Sequence, residues 1–242
     1  MEKKTPQTPL PWSEIEGLLF DLDGTLMDTD DQTVERLSRR LRFLGPRRAK
    51  TLARRTVMFS ETPLNGLITL MDVIGLDPLL FFLSHSLHGR HEPPLFPLIP
   101  GADRVLRYLQ TRKRVGVVTT RSREATLAFL EQHALDEVFD FLVTRESTAR
   151  LKPHPEPILY AAAQLGLKPE RCAMVGDTPV DVYSARRAGA WAVGVLCGFG
   201  EENELRHAGA HLILPSPVDL LPLLKQALEP AETHPINSER RL

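Results

Sequence analysis

The sequence predicts an α/β protein, a doubly wound parallel sheet carrying an inserted all-helical cap. Three observations predict it. From Gly101 onward, helix-like and strand-like segments alternate, the pattern of parallel strands joined by right-handed helical crossovers. Between about Asp30 and Pro97 only helical patterns occur. The strand-like runs end on polar residues, which a parallel sheet gathers along one edge. Residues 14–29 and 98–228 are then the core, 30–97 the cap, and 1–13 and 229–242 flexible tails.

The chain of 242 residues is 42% apolar and 25% charged, enough to bury a core without staples. A net charge of −1 argues against wrapping nucleic acid through phosphate neutralisation. No apolar run approaches a membrane span or a signal peptide, so a cytoplasmic location is expected. Cys172 and Cys197 lack metal-ligand spacing and read as two reduced, buried thiols. Monomer and homodimer are both compatible with the sequence.

Taken in order, the prolines Pro6, Pro9 and Pro11 make the N-terminus a loose arm. Ile15, Leu18, Leu19 and Phe20 form a short buried strand that runs into Asp21-Leu22-Asp23-Gly24-Thr25. Asp21 and Asp23, two apart, share a face, and Gly24 permits a tight turn. Thr29 and Gln32 fit a capping box for a helix ended by Gly45-Pro46. Helices near 47–57 and 63–74 and a third from Asp77-Pro78 follow, then a proline-rich return over His91–Pro100. Beyond it the helices are 102–112, 123–133, 155–165, 180–188 and 218–228. They alternate with strands at 115–119, 139–143, 172–175, 192–196 and 211–214.

Three later strand ends match the first in kind. One ends on Thr119 and Thr120, the next loop presents Lys152, and another strand ends on Gly176-Asp177-Thr178-Pro179-Val180-Asp181. Each admits a plainer reading: the threonines and aspartates as helix caps, the lysine as a solvated surface group. Capping does not explain why every one of them leaves a buried strand. Converging carboxylates about 4 Å apart repel by roughly 4 kcal/mol at an effective dielectric near 20. Such a cluster takes up protons or binds a cation, and hard oxygen ligands favour Mg²⁺. A metal, a lysine and hydroxyls aimed at one point suit a phosphoryl group, which an aspartate can accept covalently.

Through these four motifs in chain order the sequence resembles the haloacid dehalogenase superfamily, in the branch of phosphoglycolate phosphatase and β-phosphoglucomutase. The resemblance spans about residues 14–228 and includes the cap's position after the first motif. It implies a Rossmann-like core, Mg²⁺ as cofactor, and a small phosphorylated metabolite as the partner. Asp21 would be the nucleophile, Asp23 the general acid and base, and Thr119 and Lys152 the groups on the phosphoryl oxygens. The metal would be held by the Asp21 carboxylate, the Asp23 carbonyl and Asp177, with Asp181 mainly in the outer shell. Gly24, Thr25 and Thr120 would border the phosphate. Thr120 stands where many relatives have asparagine, so its contact reduces to the backbone N–H. Dehalogenating members lack an acid at the Asp23 position, so phosphoryl transfer is expected here despite the family's name.

The cap holds ten arginines and lysines against seven acids, a net of about +3. Most of these are expected to be solvated, with Arg54 and Arg55 as candidate substrate contacts. His85, His88 and His91 read as surface or linker histidines. The expected activity is a Mg²⁺-dependent phosphatase for a phosphoglycolate-like or sugar phosphate substrate. The alternatives are an intramolecular phosphomutase and a non-catalytic phosphate-binding regulator.

Overall fold

A six-stranded, fully parallel sheet forms the centre of the protein, in spatial order β3-β2-β1-β4-β5-β6. The computed structural model describes residues 10–28, 45 and 97–229. The strands are β1 (Gly17–Phe20), β2 (Arg114–Val118), β3 (Phe141–Val143), β4 (Cys172–Gly176), β5 (Trp191–Val195) and β6 (Leu212–Leu214). β1 pairs on one side with β2 and on the other with β4, so Phe20 lies between Val117 and Val175. The order of strands therefore reverses at β1, the switch point where α/β sheets open a crevice at their carboxyl edge.

Alternation along each strand splits the core into two layers. Leu18, Phe20, Val115, Val117, Ala173, Val175, Val193 and Val195 face one side. There they meet α1 (Ala102–Gln110), α2 (Arg123–Gln132) and α6 (Leu220–Leu228) through residues such as Leu106, Phe129 and Leu224. Leu19, Val118, Val143, Cys172, Met174 and Ala192 face the other side. That layer is closed by α3 (Glu156–Gln164), α4 (Pro179–Ala188) and α5 (Glu202–Ala208), through Ile158, Val182, Ala185 and Leu205. Strands covered on both faces read as continuous apolar runs, which is why these were visible in the sequence. Each large apolar side chain buried this way contributes roughly 1.5–3 kcal/mol relative to exposure.

Several expectations need correction. Helix α5 was not anticipated: seven residues with only Leu205 and Ala208 buried are too short to show a period. Its start is an acidic run in which the Glu201 N–H donates to Glu204. The arm before the first strand is packed from Leu10 onward. Leu10 and Trp12 are buried, and Lys113 Nζ donates to the carbonyls of Trp12 and Ile15 at 3.0 and 2.5 Å. Cys172 is buried as expected, but Cys197 is only partly buried. The last helix begins as a 3₁₀ turn at Pro217–Asp219 before α6. Strand and helix bounds elsewhere differ from the expected ones by a residue or two.

The insertion point is legible in the hydrogen bonds. The Asp28 N–H donates to the Pro97 carbonyl at 2.8 Å, and the Ile99 N–H to the Leu26 carbonyl at 2.8 Å. The chain thus leaves the core and rejoins it at adjacent positions, as an insertion requires. The expected cap helices, Arg54, Arg55 and the three cap histidines lie outside the described residues, as do residues 1–9 and 230–242 of the expected tails. No helix among the described residues is long and apolar enough to cross a membrane.

Candidate active site

Four chain segments meet at the carboxyl edge of the sheet. The first leaves β1, where the Asp21 N–H still bonds the Val175 carbonyl of β4 at 2.9 Å. The chain then turns tightly: the N–H groups of Leu26 and Met27 return to the Leu22 carbonyl at 2.9 and 2.8 Å. Gly24 makes the turn possible, with φ of 70°. Its lack of a side chain also matters, since a Cβ there would lie 2.8 Å from the Asp177 Cγ and 3.1 Å from the Gly198 Cα.

The second and third segments bring Thr119 and Lys152. Thr119 continues β2, its N–H bonded to the Val143 carbonyl at 2.9 Å, and its hydroxyl oxygen accepts from the Arg121 N–H at 3.1 Å. Lys152 is not a surface lysine. Its side chain is 4% exposed, and Nζ donates to Asp21 Oδ1 at 2.8 Å, Asp181 Oδ1 at 2.6 Å and the Val118 carbonyl at 2.9 Å. The loop that carries it is tied to α4: Ser184 Oγ donates to the His154 carbonyl at 2.7 Å, and Arg187 to the Pro153 carbonyl at 2.9 Å.

The fourth segment follows β4. Asp177 is fully buried; its Oδ1 accepts from the Thr25 hydroxyl at 3.3 Å and its Oδ2 from the Phe199 N–H at 2.7 Å. Asp181 serves two purposes that the sequence posed as alternatives. Its Oδ2 accepts from the N–H and hydroxyl of Thr178 at 3.2 and 2.7 Å, closing the N-terminus of α4, while Oδ1 accepts from Lys152. Asp21, Asp177 and Asp181 each offer a carboxylate oxygen within 4.8 Å of the others.

One lysine cannot neutralise this cluster, and the charges respond. Burial raises the Asp21 carboxyl from 3.8 to about 7; Lys152 works against that, and the charges of Asp181 and Asp23 add to it. For Lys152, burial acts to lower the value, but Asp181 and Asp21 outweigh it and hold the ammonium above the ordinary lysine range. An excess of buried carboxylate around a fixed ammonium fits a hard divalent cation. Asp21, Asp177 and Asp181 are the side chains that could hold one, each offering a carboxylate oxygen to the same point.

Two features were missing from the sequence reading. Asp23 lies outside the three-carboxylate group and is gripped by Arg121, whose Nε and terminal nitrogen donate to its two oxygens at 2.7 and 2.5 Å. The only signal for it was a basic residue just after Thr119-Thr120. The loop after β5 supplies the second feature. Gly198 and Gly200 let that loop close on Asp177, and Cys197 Sγ approaches the Gly24 carbonyl at 3.2 Å. Thr120 is half-buried beside Thr119, and Gly24 and Thr25 border Asp177 as described.

With this geometry established, the relatives can be set beside it. The family model of haloacid dehalogenase-like hydrolases matches residues 18–195. The chain belongs to that family. It is therefore an enzyme of hydrolase type. A pyrophosphatase PpaX from Bacillus cereus (strain AH820) is 31% identical over 216 residues, covering 87% of this chain and 97% of that protein. A haloacid dehalogenase-like hydrolase structure from Bacteroides fragilis superposes with a TM-score of 0.65 at 25% identity, over 85% of this chain and 99% of that one. The structure of a predicted phosphoglycolate phosphatase from Haemophilus somnus 129pt gives 0.59 at 20% identity, over 87% and 98% of the two chains. At that identity it shows the shared fold alone.

The glycine cradle makes a sharp prediction. In Gly198→Ala the new Cβ would overlap the Asp177 carboxylate and approach the Gly24 carbonyl at 2.5 Å. The loop must then retreat, which loosens the Phe199 N–H on Asp177. A stability loss of about 1–3 kcal/mol and a weakened divalent-cation response are expected in thermal melts with and without Mg²⁺. Unchanged melts in both conditions would show that the loop does not define the Asp177 position.

Proposed function

We propose that the protein is a Mg²⁺-dependent phosphatase that hydrolyses a small phosphorylated metabolite by way of a phosphoryl group carried on Asp21. The observation that supports this best is the buried Asp21 carboxylate, fixed by Lys152 and grouped with Asp177 and Asp181 at the edge of the sheet. The family membership and the pyrophosphatase name of a relative support the same reading.

A Mg²⁺ ion held by Asp21 and Asp177 would supply charge stabilisation for the phosphoryl oxygens. The protein's own groups supply the rest. Lys152 sets the rotation of the Asp21 carboxylate by holding Oδ1, and its charge faces the negative charge that develops during transfer. Thr119 accepts from Arg121 through its oxygen, so its own proton is directed to a phosphoryl oxygen. In the first step an Asp21 oxygen bonds to phosphorus as the bond to the leaving oxygen breaks. Asp23 gives the leaving oxygen a proton. In the second step Asp23 takes a proton from water, whose oxygen attacks phosphorus and restores the Asp21 carboxylate.

The test is phosphate release from pyrophosphate, phosphoglycolate and hexose phosphates, with Mg²⁺ and with chelator. Mg²⁺-dependent release is expected, and the preferred compound names the substrate class. Folded protein that releases nothing from any of them would overturn the phosphatase reading. Isomerised sugar phosphate with little free phosphate would replace it with a mutase.

A further inference from the structure

We propose that Arg121 is the residue that recognises the leaving group, and that the substrate is one whose leaving group carries its own phosphate or carboxylate anion. The inference rests on the reading that Asp21 accepts the phosphoryl group, and it adds which compounds present one.

Depth orders the site. Lys152 and Asp21 have side chains 4% and 10% exposed, whereas Arg121 and Asp23 are at 21% and 23%. A phosphoryl group bound at Asp21 therefore has its leaving group directed outward, past the Arg121–Asp23 pair. The backbone of Arg121 is fixed there on both sides. Its N–H donates to Thr119 Oγ1 at 3.1 Å, and its carbonyl accepts from the Arg145 N–H at 2.9 Å.

The contact with Asp23 is two-pronged, a fork of N–H groups on both carboxylate oxygens. In that arrangement each oxygen accepts from an arginine that has no proton to give. An Asp23 working on a leaving oxygen needs one of those oxygens back. A planar fork matched to one carboxylate is matched equally to another carboxylate or to a phosphate, and a neutral hydroxyl offers it no such partner. An incoming anion can thus take the Arg121 fork and free Asp23 in one exchange. It also solves a charge problem: a leaving group that is itself anionic must otherwise approach Asp21, Asp23, Asp177 and Asp181 unpaired.

The transfer step balances in either case. The Asp21–phosphorus bond forms, the bond from phosphorus to the bridging oxygen breaks, and the electron pair stays on that oxygen. In a diphosphate the pair resides on an orthophosphate, whose charge Arg121 meets. In a phosphorylated hydroxy acid Arg121 holds the remote carboxylate while Asp23 protonates the bridging oxygen.

The experiment compares wild type, Arg121→Gln and Arg121→Lys by kcat/KM on pyrophosphate, phosphoglycolate and glucose 6-phosphate. In Arg121→Gln every substrate loses what the Asp23 contact contributes, and the anionic leaving groups are expected to lose about 10- to 100-fold more than glucose 6-phosphate, with partial recovery of that difference in Arg121→Lys. An extra loss confined to pyrophosphate assigns a phosphate leaving group, one confined to phosphoglycolate a carboxylate, and either upholds the proposal. An equal loss on all three compounds, or none on the anionic ones, overturns it. A binding measurement keeps the question separate from turnover. With Mg²⁺ present, calorimetry should show methylenediphosphonate weakened by a similar factor in Arg121→Gln and methylphosphonate unchanged; equal effects on both would overturn the assignment. Wild-type protein that releases no phosphate would count against the phosphatase reading alone, since the phosphonate contrast still decides the role of Arg121.

Discussion

Replacing Lys152 by methionine is expected to abolish phosphate release and to cost about 3–5 kcal/mol of folding stability near neutral pH. The side chain that would be lost donates to Asp21, to Asp181 and to the Val118 carbonyl, all within 2.9 Å and all buried. Methionine fills the volume but leaves two buried carboxylates without their counter-charge. The penalty has a pH signature. A carboxylate stripped of its cation is relieved by protonation, so Asp21, which burial already raises, rises further above the ordinary range in the folded variant. A raised carboxylate contributes stability below its unfolded value and loses it as pH climbs. The deficit against wild type should therefore be largest above about pH 7 and shrink towards about pH 4. Added Mg²⁺ should restore part of the stability without restoring turnover, because it replaces charge but not the lysine's hold on Asp21. Urea melts of both proteins across that range decide the matter. A deficit under about 1 kcal/mol at neutral pH would mean that the pair is no more than a surface-type bridge.

How much of this was legible in the sequence depended on the kind of information each residue carried. Asp21, Lys152, Asp177 and Asp181 could be placed because each follows a strand, and parallel pairing sends all such ends to one edge whatever the register. The paired layers of the core were visible for a related reason, since strands such as Leu18–Phe20 and Ala173–Val175 are covered on both faces. Arg121 was not legible as a partner of Asp23. That contact depends on β2 lying directly against β1, a neighbour relation between residues 98 positions apart. Gly198, Phe199 and Gly200 escaped for the same reason. Their purpose is to close on Asp177, and nothing local distinguishes them from an ordinary turn after β5. Trp12 was misplaced because proline-rich composition predicts looseness, whereas two carbonyls held by Lys113 and a buried indole fix the segment. Local pattern thus revealed the groups that chemistry needs, and tertiary pairing revealed the groups that hold them in place.

Asp21→Asn separates catalysis from stability in the opposite sense to Lys152→Met. Phosphate release is expected to fall by on the order of 10⁴-fold or more, the scale seen when a covalent nucleophile is removed. The fold should not suffer. Burial raises the Asp21 carboxyl from 3.8 to about 7, so in the metal-free protein its charge is a burden around neutral pH. Asparagine keeps the shape and an oxygen for Lys152, and Lys152 keeps Asp181. The sign follows from linkage: a group whose folded value is raised gives stability that is present below its unfolded value and lost as pH rises through the folded one. Wild type in chelator should accordingly lose stability between about pH 4 and pH 7, and the asparagine variant should show a flatter profile. Mg²⁺ reverses the comparison, because the cation needs the carboxylate: it should stabilise wild type increasingly as pH approaches about 7 and stabilise the variant far less. Thermal melts in chelator and in Mg²⁺ across this range, run beside phosphate release, test each part separately. Turnover within tenfold of wild type would remove Asp21 as the nucleophile, and a wild-type profile in chelator that is flat or rises with pH would show that Lys152, not burial, governs the Asp21 charge.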